Sequence, residues 1–272
     1  MPPELASGCG AEFTSDPSPA DASDMMIASG TEAFIYLSNT HWVLRVDRPG
    51  ANPSARINLA VLDAARNAGL LVPDARIVVL PQGEALEMER LDPKSLTEVL
   101  KTHPWAFRAA ARTLGLIHFR IHQIPCPASL RPVWEVMPPR LAPMGSSLDS
   151  KELAAMMKDI CGPQHVLLHG DFNPANLLRR AGSQEWLPVD WNSACYGPPE
   201  ADVAYTLVMV RSGLAPGRYS HVPSVLLSPV RRLLEHEYLA TYLHMGSLDM
   251  ELLETWAKMW KKAPLRGRRL RS

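Results

Sequence analysis

The chain has no C-x-x-C pair: its four cysteines, Cys9, Cys126, Cys161 and Cys195, are scattered through 272 residues. That spacing argues for reduced thiols over a disulfide set or a zinc site, and so for a cytoplasmic protein. No apolar run approaches the roughly 20 residues of a membrane span, and the N-terminus lacks the basic-then-apolar pattern of a secretory leader. There is no excess of charge either. Basic and acidic residues number 28 each, so nothing general points to nucleic acid or a lipid surface. The G-x-x-x-x-G-K-[ST] loop of P-loop nucleotide sites is missing, and no segment repeats. What remains is an ordinary globular mixture, 46% apolar and 21% charged, long enough for one large domain or two lobes around a cleft. The 25 prolines cut it into short elements.

Residues 1–24 carry Pro, Ser, Asp and Ala with little periodicity and read as a loose tail. From Met25 to Val46, β-branched and aromatic residues flank the turn Ser38-Asn39-Thr40, a β-hairpin whose first strand is interrupted by Ser29-Gly30-Thr31-Glu32. In isolation that interruption reads as a β-bulge. A helix is predicted over Ser54–Ala68, with Ile57, Val61, Ala64 and Ala68 on one face, Ser54 capping its start and Gly69 ending it. A second hairpin follows, turning at Pro81-Gln82-Gly83. From Asp92 the pattern becomes helical: Ser95–Lys101, Pro104–His122, Asp149–Cys161 with Asp149 and Glu152 in capping-box spacing, Pro199–Arg211, Pro229–Met245 and Asp249–Lys262.

The stretch around which the rest is organised is V-L-L-H-G-D-F-N-P-A-N, Val166–Asn176. An apolar run ending in Gly170-Asp171 reads as a buried strand delivering a carboxylate to its tip. Leu177–Arg180 and Glu185–Val189 then read as a hairpin, which would set Asn176 opposite Asp190 at its open end. One amide oxygen and two carboxylates at a loop tip suit a hard cation that keeps its waters, such as magnesium. Asp171 is the carboxylate left to meet an incoming hydroxyl.

The order H-G-D, five residues to Asn176 and fourteen more to Asp190, resembles the aminoglycoside phosphotransferase and choline kinase superfamily, relatives of the protein kinases. V-D-W-N-S-A-C-Y-G-P-P-E-A-D-V-A, Val189–Ala204, resembles that family's D-W…G-x-P…D-L-A stretch. The resemblance implies an α+β, protein-kinase-like bilobal fold. A small antiparallel β-sheet N-lobe (25–91) would bind the nucleotide, and a mainly helical C-lobe (92–272) would hold the catalytic loop and the acceptor. It implies ATP or GTP as co-substrate and magnesium held by Asn176 and Asp190, with Asp171 as the catalytic carboxylate. Gly30 and Thr31 would lie over the phosphates, and Met88, Glu89 and Leu91 would form a hinge against the adenine edge. On the residues alone, that hinge is equally an edge strand leaving the sheet. His169 and Asp202 would support the catalytic loop structurally, as would the histidine of L-G-L-I-H-F-R-I-H. A zinc site at His118 and His122 is a poor fit, since no third ligand accompanies them.

The chain departs from the family in the small lobe. The strand lysine that contacts phosphate and the helix glutamate that pairs with it correspond here to Arg45 and Asn58. Arg48 and Arg56 are the alternative cations nearby. Two functions follow. One is a kinase of a small hydroxylated molecule: an antibiotic of aminoglycoside or basic-peptide type, or an amino alcohol such as choline. A cationic acceptor would be met by Glu235, Glu237, Asp249, Glu251 and Glu254 on the last helices. The other is a nucleotide-binding pseudokinase without transfer activity. A protein kinase is disfavoured, because no D-F-G or A-P-E follows the loop. The basic residues Arg266, Arg268, Arg269 and Arg271 receive no function.

Overall fold

β-Branched and aromatic side chains dominate residues 33–46, and there the chain pairs with itself. The computed structural model describes residues 26–29, 32–51, 54–141, 149–212 and 224–262. Five strands form one antiparallel sheet: β1 (Met26–Ser29), β2 (Ala33–Leu37), β3 (Trp42–Asp47), β4 (Ala75–Leu80) and β5 (Gly83–Glu89), in spatial order β1-β2-β3-β5-β4. Met26 lies opposite Tyr36 and Ser29 opposite Phe34, so the Ser29–Glu32 interruption separates two strands of a hairpin rather than two halves of one strand. The predicted 1–24 and 266–271 tails, and Gly30 and Thr31, lie outside the described residues.

Paired residues share a face of a sheet. Ile35, Arg45 and Leu86 lie in one such row, and Leu37, Val43 and Met88 in the next. Helix α1 (Ala55–Asn67) covers the sheet with Ala55, Asn58, Val61, Leu62 and Ala65 buried. This inward stripe is rotated from the predicted one. Ile57 and Ala64 are only half-buried and Ala68 is exposed, because the stripe includes a polar residue, Asn58, that an apolar count passes over. Gly69 ends the helix at φ +77°, a conformation that costs glycine little.

The rest of the described chain is mainly helical. It comprises α2 (Leu96–Thr102), α3 (Phe107–His122), α4 (Val133–Val136), α5 (Pro138–Leu141), α6 (Ser150–Asp159), α7 (Pro199–Ser212), α8 (Ser224–Met245) and α9 (Met250–Lys262). The Asp149/Glu152 capping box that starts α6 is formed. Two short strand pairs are set among these helices. β6 (Val166–Leu168) pairs with β9 (Cys195–Gly197), and β7 (Leu177–Arg179) with β8 (Trp186–Pro188). Strand β9 was not anticipated, since three residues, C-Y-G, carry no period. None of the helices among the described residues is long and apolar enough to cross a membrane.

Helices α3 and α8 approach closely at Gly115, where an added Cβ would stand 2.6 Å from the Tyr238 carbonyl oxygen and 2.9 Å from Thr241 Cβ. Backbone cannot yield there as a flexible side chain could. Gly115→Ala is therefore expected to cost about 1–3 kcal/mol through overpacking, read as a lower urea midpoint with unchanged slope. An unchanged midpoint would mean that the two helices part freely.

Candidate active site

One face of α7 grips the loop after β6 residue by residue. Asp202, Tyr205 and Thr206 fall together on it at i, i+3 and i+4. The Asp202 carboxylate accepts from the amides of His169 (2.6 Å) and Gly170 (3.1 Å). The Tyr205 hydroxyl donates to Asp171 Oδ1 (3.0 Å), and the Thr206 hydroxyl to the Phe172 carbonyl (2.8 Å). All three helix residues are buried. Gly170 turns the loop at φ +76°, with the Ser193 carbonyl oxygen 2.2 Å from where a Cβ would stand. No other residue fits that position.

His169 is buried, with Nε2 3.0 Å from the Val189 carbonyl oxygen and its ring against Trp191. Asp202 also receives the rings of His118 and His122, Nε2 to Oδ2 at 3.1 and 3.5 Å, while each Nδ1 meets a tyrosine hydroxyl, Tyr238 or Tyr242, at 2.6 Å. Asp202 is thus the third ligand that the sequence did not reveal, and the three donor atoms lie within 4.8 Å of one another. The hydrogen bonding reads without a metal, however. With each tyrosine donating to Nδ1, the proton of each ring lies on the Nε2 that approaches the carboxylate, whose charge is met by two backbone amides and by these two ring dipoles.

Asp171 sits under two amides. Asn173 Nδ2 donates to its carbonyl and to Oδ1 (2.9 and 3.2 Å), and Asn176 Nδ2 to its carbonyl and Oδ2 (2.8 and 3.3 Å). Asn176 closes a 3-10 turn, Pro174–Asn176, and its carbonyl accepts from Val189 N at 3.0 Å. Asn176 therefore lies opposite Val189, and Asp190 one residue beyond. The predicted facing of Asn176 and Asp190 is off by one: β7 begins at Leu177 as expected, but its partner is Pro188, where β8 ends one residue earlier than predicted. Asp190 adopts φ 64°, ψ 60°, the one positive φ of a non-glycine among the described residues. Such a conformation persists where the surroundings over-determine it, here between β8 and buried Trp191. Its carboxylate takes no hydrogen bond from the described residues. With Asn176 Nδ2 spent on Asp171, the Asn176 Oδ1 is the amide atom left over. A carboxylate and an amide oxygen are the kinds of donor a hard divalent cation takes.

In the sheet, Arg45 is 7% exposed, whereas Arg56 pairs with Glu84 on the surface and Arg48 binds Ser29 Oγ and stacks on Phe34. Arg45 has no helix carboxylate. Its Nη1 bonds Asp47 Oδ1 (2.5 Å) and Ser54 Oγ (2.7 Å), and Asn58 Nδ2 instead reaches Ser54 O (2.9 Å) and Asn192 Oδ1 (3.0 Å). Arg140 joins the sheet side to the loop from α5, bonding Glu32 and the Asn192 carbonyl. At the predicted hinge, Glu89 and Arg90 give their amides to the carbonyls of Asp74 and His41, both at 2.8 Å. Sheet pairing thus takes Glu89 N–H from any adenine edge, and the Glu89 carboxylate is held by Arg180 at 2.5 and 2.8 Å. Hydrogen bonding to Arg180 lowers the Glu89 pKa against the opposing effect of burial. Met88 and Leu91 are half-buried beside it.

The predicted acidic wall is mostly spent: Glu235 pairs with Arg211, Glu237 with Arg108 and Arg112, and Glu254 with Lys258, while Asp249 accepts from the Glu251 and Leu252 amides. Sequence reading missed Tyr205, Asp47 and Arg140, and gave Ser54 only the role of a helix cap, which its side chain does not fill. Of these only Tyr205 left a signal, a polar residue one helical turn beyond Asp202.

A phosphotransferase enzyme family model matches residues 26–222. A search of curated proteins gives no match. Solved structures with a similar fold include three small-molecule kinases. An amicoumacin kinase in complex with AMP-PNP, Ca2+ and its ligand has TM-score 0.63 and 15% identity, covering 88% of this chain and 79% of that one. An aminoglycoside-3'-phosphotransferase of type VIII has TM-score 0.57 and 14% identity, with 86% and 90% coverage. A choline/ethanolamine kinase family protein from Mesorhizobium loti has TM-score 0.55 and 13% identity, with 86% and 74% coverage.

Burial holds the His118 imidazole down at about 4, with nearby His122 adding to the effect and Asp202 opposing it. Burial alone would raise the Asp202 carboxyl, but the two rings outweigh it and keep it below the carboxylate range. The unfolded His118 takes up a proton near its ordinary value of 6.5, which the folded chain refuses until about pH 4. Stability is therefore expected to fall as pH drops from 6.5 toward 4, by up to about 1.4 kcal/mol per unit from this group. His118→Gln should be less stable at pH 7 but lose stability less steeply, measured by urea unfolding at each pH. Equal slopes in both proteins would contradict a neutral buried imidazole.

Proposed function

Because the chain belongs to the phosphotransferase enzyme family, we propose that it transfers the γ-phosphate of ATP or GTP to a hydroxyl of a small acceptor. The observation that carries this reading is the junction at Asn176. Its side-chain amide holds Asp171, and its carbonyl holds Val189, the residue before Asp190. Base and metal carboxylate are thereby set around one amide, the arrangement phosphoryl transfer needs when positioning and charge compensation do most of the work.

In this reading Asp171 meets the acceptor hydroxyl, orients it in line with the γ-phosphate and takes its proton late. Asn173, Asn176 and Tyr205 fix the rotamer of Asp171 through the bonds described above. Asn176 Oδ1 and Asp190 would hold magnesium, which when bound offsets the charge of the nucleotide phosphates. Arg45, through its second guanidinium nitrogen, supplies the fixed cation for those phosphates. The strap at Met88, Glu89 and Leu91 meets the base, with the Glu89 carbonyl and the Leu91 amide as its polar groups. His169 and Asp202 touch neither substrate and keep the loop in shape. Residues 25–91 form the nucleotide lobe and 92–272 the catalytic and acceptor lobe.

For the acceptor we take a hydroxylated antibiotic of aminoglycoside or basic-peptide type, with an amino alcohol such as choline as the alternative. Support comes from the family and from the ligands named for its structural neighbours. The acidic helices add little, since most of their carboxylates already have partners.

The test is transfer of labelled γ-phosphate from ATP and GTP, with magnesium, to aminoglycosides, basic peptide antibiotics, macrolides, choline and ethanolamine. Labelled product is expected with one class, and Asp171→Ala should lower kcat by about 10²–10⁴ with little change in nucleotide binding. Magnesium-nucleotide binding without product from any acceptor would instead favour a pseudokinase.

A further inference from the structure

The substitution of Arg45 for lysine leaves a question of geometry. A buried guanidinium needs a counterion, and the helix position that would supply one is Asn58. The counterion present is on the same strand. Asp47 lies two residues on from Arg45, hence on the same face, and both side chains are largely buried, 8% and 15% exposed. Its two oxygens have separate duties. Oδ1 faces Arg45 Nη1 at 2.5 Å and accepts from Ser54 Oγ at 2.9 Å, while Oδ2 accepts from Ser54 N at 2.7 Å. Ser54 closes the triangle, since its Oγ also contacts Nη1 at 2.7 Å. All of this engages Nη1. Nη2 of the same guanidinium is buried with no partner among the described residues. Leaving a charged donor so costs folding free energy, which a ligand that accepts from it would return.

Resting on the phosphotransferase reading, we propose that Asp47, with Ser54, is the positioning counterion of Arg45. It pins one arm of the guanidinium so that the other, Nη2, is presented to the nucleotide phosphates. The carboxylate that in the family comes from the helix comes here from the strand. The helix keeps its link to the metal side by a neutral route: Asn58 bonds Ser54 O and Asn192 Oδ1, two residues past Asp190. A strand carboxylate beside an arginine and a helix amide are matched changes, since either alone would leave an unpaired buried charge.

The test is calorimetric binding of magnesium–AMP-PNP and, separately, of adenosine, which has no phosphates. Proteins compared are wild type, Asp47→Asn, Ser54→Ala, Arg45→Gln, the Arg45→Gln/Asp47→Asn pair and Asp47→Asn/Asn58→Glu. Asp47→Asn should weaken AMP-PNP about tenfold, the scale of one charge-assisted bond, and leave adenosine unchanged. Ser54→Ala should act in the same direction and less. In the Arg45→Gln background Asp47→Asn should add nothing, and Asn58→Glu should restore part of the affinity lost in Asp47→Asn. Equal weakening of both ligands, an undiminished effect without Arg45, or unchanged AMP-PNP binding in Asp47→Asn and Ser54→Ala would overturn the proposal. Wild type that binds neither ligand would instead remove the phosphotransferase reading on which it rests.

Discussion

A single carboxylate with no exposure to solvent holds the loop that carries Asp171. Asp202 spends both oxygens on the amides of His169 and Gly170, and two imidazoles from α3 approach its Oδ2. In water those bonds would add little. In a core they are obligatory, because an ionised carboxylate there is tolerable only when every lone pair is met. The same bonds therefore fix loop, α7 and α3 in one relative position. Gly170 can then turn with a carbonyl against its Cα, and Asp171 is presented at the tip rather than along the strand. Tyr205 and Thr206 extend the grip to the next two residues.

The second constraint is at the mouth of the sheet, where a buried guanidinium meets a carboxylate of its own strand. Arg45, Asp47 and Ser54 form a closed set within the sheet side, and Asn58 passes the connection to Asn192 without charge. Arg140 adds a separate tie from the C-terminal part to Glu32. The sheet and the loop after Asp190 are thus joined twice, by a neutral amide pair and by an arginine. Sequence resemblance alone suggested a damaged site here, since both members of the usual pair are replaced.

How much of this the sequence disclosed follows from how local each determinant is. The H-G-D turn, the Asn176 and Asp190 spacing and the hairpins were legible because their cause lies within a few residues. So was the α6 capping box. The inner face of α1 was misplaced because Asn58, buried for its hydrogen bonds, breaks an apolar pattern. Strand β9 and helices α4 and α5 escaped because three or four residues carry no period. The register at Asn176 failed by one, since β8 ends at Pro188 and leaves Val189 opposite Asn176. The hinge amides, the role of Asp47 and the third partner of the two histidines depend on contacts between distant segments. No spacing rule encodes those.

The most direct measurement is electron paramagnetic resonance of Mn2+, standing in for magnesium, titrated with AMP-PNP into wild type, Asp190→Asn and Asp171→Asn. Asparagine tolerates the left-handed backbone of position 190, so the substitution removes charge without unfolding the turn. Wild type and Asp171→Asn are predicted to bind the Mn2+–nucleotide complex, and Asp190→Asn to lose most of that binding. Equal Mn2+ binding in all three proteins would contradict the assignment of Asp190 to the metal, and with it the account of the site.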